Sequence, residues 1–302
     1  MKNTVSTVYK RELKLQFCSL SGWLFIAVNV AALGICAVWL GLKNNNPSYQ
    51  YVPETASLLL CFTSPLLYAM TVGAEWRRGE TPMLLRYASP ISVVMGKYLA
   101  ALTAFAVPVL ICAILPLALI PFGLDFFTVP YMGVITYALV GAAILALNFF
   151  IASLIKRPII GGAVSVAVSL LLNVASNAAK IVFEGQSLPF VFAAILLIAV
   201  VTAIMLVYLN NAVIPVVFAT SCSVGLLVLA LTKTASAVLR PLLMMIAPQY
   251  AFYENIYGNA SLRGFIQPLL FIAVFLVFTV LNHANYNKSL TVSPDKKGKE
   301  GA

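Results

Sequence analysis

The sequence predicts an all-α fold: a polytopic bundle of about eight membrane-spanning helices, and at least six, with an N-terminal amphipathic helix and a short helix in a cytoplasmic loop. Three observations predict it. The chain of 302 residues is 62% hydrophobic and only 9% charged, whereas a soluble domain is about half apolar and about a quarter charged. Apolar runs close to the length of a bilayer span recur along the whole chain. The basic residues gather in alternate connecting segments.

Residues 1–20 form the first segment. Lys10, Arg11, Glu12 and Lys14 lie among Val8, Leu13, Leu15 and Phe17, a basic amphipathic pattern that suits the inner membrane surface before the chain turns in at Gly22-Trp23. A plain charged flank that orients the first span is the simpler alternative. The following run matches a bilayer span and lacks a small-residue cleavage site, so it reads as a retained span and not a signal peptide.

The transmembrane domain is expected over 21–284, with spans near 21–42, 54–74, 97–121, 131–154, 159–178, 190–208, 212–232 and 264–283. Asn173, Asn177 and Lys180 blur the end of the fifth, and only Asn210-Asn211 separates two later runs. Residues 285–302, ending in SPDKKGKEGA, read as a disordered cytoplasmic tail.

Charge asymmetry orients the bundle. With both termini inside, only Lys43, Lys180, Lys233, Arg240 and Arg263 of the 19 Lys and Arg residues fall outside. The remainder lie in the N-terminal segment, in 75–97, at Lys156 and Arg157, and in the tail. The outer segments, 44–54 and 233–263, are rich in Tyr, Asn and Pro, which suits packing at the headgroup level of the outer face. Asn259-Ala260-Ser261 is a glycosylation sequon, a tripeptide that also arises by chance.

Several function classes fit poorly. The net charge of +10 is dispersed and not striped with aromatics, so no nucleic-acid partner is expected. Five cysteines lie scattered without a CxxC pair, and the chain has one histidine, so neither a metal centre nor a zinc protease is expected. No base accompanies a candidate nucleophile, so no catalytic residue is assigned. The predicted span interiors contain Asn29, Asn148 and Asn173 but no ionisable group, which argues against an ion-coupled carrier. Asn29 and Asn148 read first as interhelical hydrogen-bonding groups.

The stretch AEWRRGETPMLLRYASPISVVMGK (74–97) is the most informative one. Gly79 offers a turn after the second span. Thr81-Pro82 and Ser89-Pro90 are helix-start pairs, a capping hydroxyl followed by a residue with no N–H to orphan. The stretch therefore reads as a turn, a short helix over 82–88, a break, and a helix running from Pro90 into the third span. Met83, Leu84, Leu85 and Tyr87 flank Arg86, a pattern that suits either the membrane surface or a groove on a cytoplasmic partner.

At these residues the chain resembles the membrane subunits of type-2 ATP-binding-cassette exporters, in particular the gliding-motility-type and bacteriocin-immunity-type permeases. The similarity runs through Glu75, Arg77, Arg78, Gly79, Thr81, Leu84, Leu85, Pro90, Ile91, Ser92, Gly96 and Lys97, with YKRELK at the start and Tyr253–Gly264 before the last run. The chain departs from the family pattern at Trp76, Glu80 and Met83. The resemblance implies that 75–96 couples the spans to a separate ATPase subunit, with Pro82 and Ser89 shaping the same element. The chain has no GxxxxGK[ST] phosphate loop, so no cofactor is expected in it, and ATP and Mg would be bound by that partner. It also implies a second permease subunit, an auxiliary membrane-anchored subunit, membrane lipid as surroundings, and a bacterial plasma-membrane location. A lipidic, peptide or other amphipathic substrate would be exported. A non-transporting scaffold driven by the same kind of ATPase is the alternative, and a secondary carrier a more distant one.

Overall fold

In the computed structural model the described residues are 5–42, 49, 51–122, 129–181, 213–231, 247–257 and 261–292, with single positions at 195, 198, 199, 201, 202, 205 and 245. Among them every regular element is a helix. In chain order these are α1 (Val5–Cys18), α2 (Leu20–Cys36), continued by a π-helical stretch (Ala37–Leu42), α3 (Tyr51–Arg78), α4 (Glu80–Tyr87), α5 (Pro90–Leu119), α6 (Val129–Leu154), α7 (Pro158–Ile181) and α8 (Val213–Leu231). A turn of helix at Tyr250–Phe252 runs into a π-helical stretch (Tyr253–Tyr257), and α9 (Leu262–Val292) follows.

Six stretches are long and apolar enough to cross a bilayer: Leu20–Trp39, Val52–Arg78, Pro90–Leu119, Tyr131–Leu154, Pro158–Ser176 and Leu262–Asn287. The chain is therefore read as a multi-pass membrane protein. Val213–Leu226 is apolar but shorter. Most of the predicted span at 190–208 lies outside the described residues, as do the outer segment over 233–244, Asn259 and Ala260 of the sequon, and residues 293–302 of the predicted tail; the first part of that tail, 285–292, is not disordered but forms the last turns of α9.

Two predicted boundaries move. The second span extends to Arg78 and the third begins at Pro90, not at 97. Glu75 and Lys97 thus sit inside long helices, and His283 is wholly buried within α9. The expectation that ionisable groups stay at span edges or in loops does not hold here. Such groups enter a helix bundle when they find partners inside it.

α3, α5 and α6 build the centre, where Tyr68 stacks on Phe149 at 5.1 Å and Phe105 packs against Tyr137 at 5.4 Å. Lipid supplies no hydrophobic drive between helices, so such packing and interhelical hydrogen bonds hold the bundle. Asn29 Nδ2 donates to Thr63 Oγ1 at 3.0 Å, joining α2 to α3. Asn148 of α6 donates to the Ser64 hydroxyl of α3 and accepts from Ser169 of α7 at 3.2 Å.

Prolines inside the spans leave carbonyls without their i+4 donor. Pro116 orphans the Cys112 carbonyl, and the Tyr49 hydroxyl donates to it. Pro268 orphans the Gly264 carbonyl, which accepts from Asn255 Nδ2 at 3.4 Å. Asn255 also donates to Thr136 Oγ1 at 3.0 Å. Tyr49 and Asn255 both come from segments predicted to lie outside, and they tie those segments to the spans beneath.

Candidate functional site

The loop between α3 and α5 is built from its turn chemistry. Gly79 ends α3 with φ 76°, a left-handed conformation that costs a residue bearing a Cβ about 1–2 kcal/mol. Its N–H donates to the Trp76 carbonyl at 3.2 Å, and its own carbonyl accepts from Met83 N at 3.1 Å to start α4. Ser89 caps α5 by accepting from Ser92 N at 3.2 Å, with Pro90 at the first helical position, as its sequence predicts. The Thr81-Pro82 pair behaves otherwise. The helix starts at Glu80, so Thr81 is already helical and donates its hydroxyl to Glu75 Oε2 at 3.4 Å. Pro82 lies within the first turn, where its missing N–H removes no intrahelical bond.

The eight residues of α4 present two faces. Thr81 and Leu85, one turn apart, are buried against the bundle, and Leu84 is half-buried beside them. Met83 and Tyr87, also one turn apart, are 62% and 63% exposed, with Arg86 between them and Ile91 following at the start of α5. Of the two leucines predicted to couple, Leu85 belongs to the core of this chain, and the outward face is Met83, Arg86 and Tyr87.

Beneath α4 lies a buried charge cluster. The Lys97 ammonium donates to Glu12 Oε1 at 3.2 Å and to the Glu75 carboxylate. The three side chains come from α5, α1 and α3, and each of the three residues is buried. The trio carries one surplus negative charge. Burial is the largest influence on Glu12 and holds its carboxyl above the ordinary range; Lys97 opposes this and Glu75 adds to it. Arg11 reaches Glu12 at 3.4 Å and Glu80 at 3.6 Å, and Arg78 Nε lies 3.0 Å from Glu80. Lys10, Lys14, Arg77 and Arg86 are exposed.

Gly96 explains how α1 gets close enough. A Cβ there would lie 2.7 Å from Val8 Cγ1 and 3.0 Å from Tyr9 N. One position on, Lys97 then meets Glu12, and nearly two turns further along α5 Thr103 Oγ1 and Tyr9 Oη share a hydrogen bond at 3.0 Å. The helix α1 therefore packs on α5 through Val8, Tyr9 and Glu12. Of the predicted apolar set Val8, Leu13, Leu15 and Phe17, Val8 lies on this face, Phe17 is half-buried against the core, and Leu15 is exposed.

An aromatic group closes the other flank. Trp76 is buried and meets Tyr286 of α9 edge-on at 4.8 Å and His283 at 5.4 Å. The Lys156 ammonium, from the link between α6 and α7, sits 4.8 Å from the Trp76 ring centroid and 4.1 Å from that of Tyr286. Desolvation holds that ammonium below its ordinary pKa. His283 Nδ1 donates to the Thr279 carbonyl at 2.8 Å. One end of the bundle thus gathers four of the segments that charge asymmetry places together: the N-terminal helix, the 75–97 loop, the 156–157 link and the end of the last span.

Sequence reasoning missed Trp76, Lys156, His283 and Tyr286 as partners. For Glu12 a signal existed, since Val8, Glu12 and Gln16 recur at helical spacing. Among the described residues no three His, Cys, Asp or Glu side chains converge to hold a metal. Neither a scan of protein-family models nor a search of curated proteins finds a match to this chain.

Proposed function

We propose that the chain is the membrane-spanning permease subunit of an ATP-binding-cassette exporter, driven by a separate ATPase that docks on α4. The observation that carries this reading is the outward face of α4, with Met83 and Tyr87 exposed on a helix too short to span. Behind it, Leu85, Thr81 and the Glu12–Lys97–Glu75 cluster fix α4 to α1, α3 and α5, so a push on α4 reaches several helices together. The family resemblance of residues 75–97 supports the same reading. The ionisable groups now found inside the helices fit coupling better than ion transport, because Glu12, Glu75 and Lys97 engage one another at one end. The middle of the bundle is joined by Asn29, Asn148 and hydroxyl groups.

In this reading the subunit pairs with a second permease, homomeric or related, and works with an auxiliary membrane-anchored subunit. It lies in a bacterial plasma membrane with both termini and α4 in the cytoplasm, and it exports a lipidic, peptide or other amphipathic substrate. The test is purification of the tagged chain from its native membrane, followed by reconstitution. An ATP-binding-cassette ATPase should co-purify, and its turnover should rise with an amphipathic substrate. A stable complex whose turnover ignores every substrate would indicate the scaffold role, and recovery without any such ATPase would contradict both.

A further inference from the structure

A groove of about 770 Å³ runs along the first half of α9, within the size range of small-ligand sites. Two neighbouring stripes of that helix, each at four-residue spacing, form its floor. Ile266, Leu270 and Val274 belong to one, and Phe271 and Phe275 to the other. The two phenylalanine rings lie 4.5 Å apart, and Phe275 packs on Phe150 of α6 at 5.4 Å, so the bundle holds that side of the floor in place. The first stripe is open, with Leu270 60% exposed, and Met245 lines the groove as well. Ile266 and Phe275 are nine positions apart, a helical rise of about 14 Å. That is close to the depth of one leaflet, half of a hydrocarbon core of about 30 Å.

Arg263 lines the groove at the end nearest the start of α9. Among the described residues that line it, this guanidinium is the one charge. It is exposed, and no ion pair among the described residues involves it. The carboxylate of the adjoining segment, Glu254, accepts from the Ser261 hydroxyl instead. Charge asymmetry does not account for this arginine, since it is one of the five basic residues that fall outside. A complementary ligand is apolar over the depth of one leaflet and negative at its head. A phospholipid acyl chain meets the first demand, and its phosphate meets the second, because a guanidinium fork matches phosphate. With no carboxylate on the wall, an added cation in the headgroup gains no partner there.

We propose that this groove holds one acyl chain of a net-anionic phospholipid, with the phosphate on the Arg263 guanidinium and the chain along Ile266, Leu270 and Val274. This site does not depend on the ATPase reading. A zwitterionic choline phospholipid offers the same chain with a cation that the groove cannot pair, so it should bind less tightly.

The test uses the full-length protein in phosphatidylcholine nanodiscs. These are doped with phosphatidylglycerol or phosphatidylcholine carrying a photoactivatable diazirine in one acyl chain, and peptide mass spectrometry locates the adducts. The face of α5 at Leu110, Ile114 and Leu117 is also apolar and exposed, and it serves as the internal reference. With the phosphatidylglycerol probe, labelling of 266–275 should exceed that of the reference face severalfold. It should also exceed labelling of 266–275 by the phosphatidylcholine probe about fivefold, the scale of one basic residue acting on an anionic lipid. Arg263→Gln should keep the melting temperature and remove that second difference. Ile266→Trp, which fills the groove from an exposed position, should bring labelling of 270–275 down to the reference level. Equal labelling of α9 and the reference face by both probes would overturn the groove. Equal labelling of 266–275 by the two probes in the wild type would overturn the anionic preference. Labelling of α9 below the reference face would mean that protein covers the groove, whether a second copy or another segment of this chain, and would overturn the lipid assignment.

Discussion

Lys97 and Glu12, 85 residues apart in sequence, meet at 3.2 Å in a buried ion pair that fastens the N-terminal helix to the start of α5. Glu75 completes the group from α3. Lys97→Met should therefore leave the buried Glu75 carboxylate without its ammonium partner and Glu12 with only the half-exposed Arg11 beside it. A loss of about 3–5 kcal/mol is expected, read as a large drop in melting temperature in detergent. Glu12→Gln, which removes the surplus charge, should be tolerated far better.

The pH dependence follows from Glu12. Its carboxyl is held above the ordinary range, by burial first, with Lys97, Glu75 and Arg11 as the charges that face it. A raised pKa contributes stability that is fully present below the unfolded value and is lost as the pH rises through the folded one. Thermal stability should therefore hold or rise as the pH falls from about 8 to about 5. Glu12→Gln should flatten that profile and be at least as stable as the wild type at the alkaline end.

Close approach at Gly96 makes a separate prediction. Gly96→Ala drives a methyl group into Val8, at an expected cost of about 1–3 kcal/mol. Limited proteolysis should then cut α1 faster near Lys10. Val8→Ala in the same chain should restore only a small part of the protection, because it removes Cγ1 but leaves the Cβ of residue 8 at 2.8 Å and Tyr9 N at 3.0 Å from the new methyl.

At the other end, the Tyr49 hydroxyl serves a carbonyl that Pro116 orphans. Tyr49→Phe should cost about 1–3 kcal/mol. Pro116→Ala supplies an N–H for the Cys112 carbonyl, so Tyr49→Phe should cost much less in that background. A double-mutant cycle on melting temperature measures this coupling.

Much of the bundle is legible in the sequence because span length and apolarity are local properties. All six described spans stand close to predicted ones. The ends were misread around Glu75 and Lys97 because a hydropathy window scores a charge as if it were solvated. Partners such as Glu12 for Lys97 lie too far along the chain to enter the window. The Ser89 cap was legible, since its chemistry spans only a few residues. Thr81 was not, because its hydroxyl serves Glu75 across a turn instead of its own helix. Leu84 and Leu85 looked like one docking pair, yet adjacent residues on a helix point about 100° apart. The fold turns Leu85 inward and leaves Met83 and Tyr87 outside. Trp76, a departure from the family pattern, holds its place through Tyr286 and Lys156, contacts that no local pattern announces.

The most direct test of the coupling role is co-purification of an ATP-binding-cassette ATPase with Met83→Asp/Tyr87→Asp, compared with the wild type. Both positions are exposed, so the doubly substituted chain should insert and melt as the wild type does. Its ATPase recovery should fall at least about tenfold, the scale of losing two apolar anchors from an interface. Recovery at the wild-type level from a normally folded double variant would contradict docking on α4.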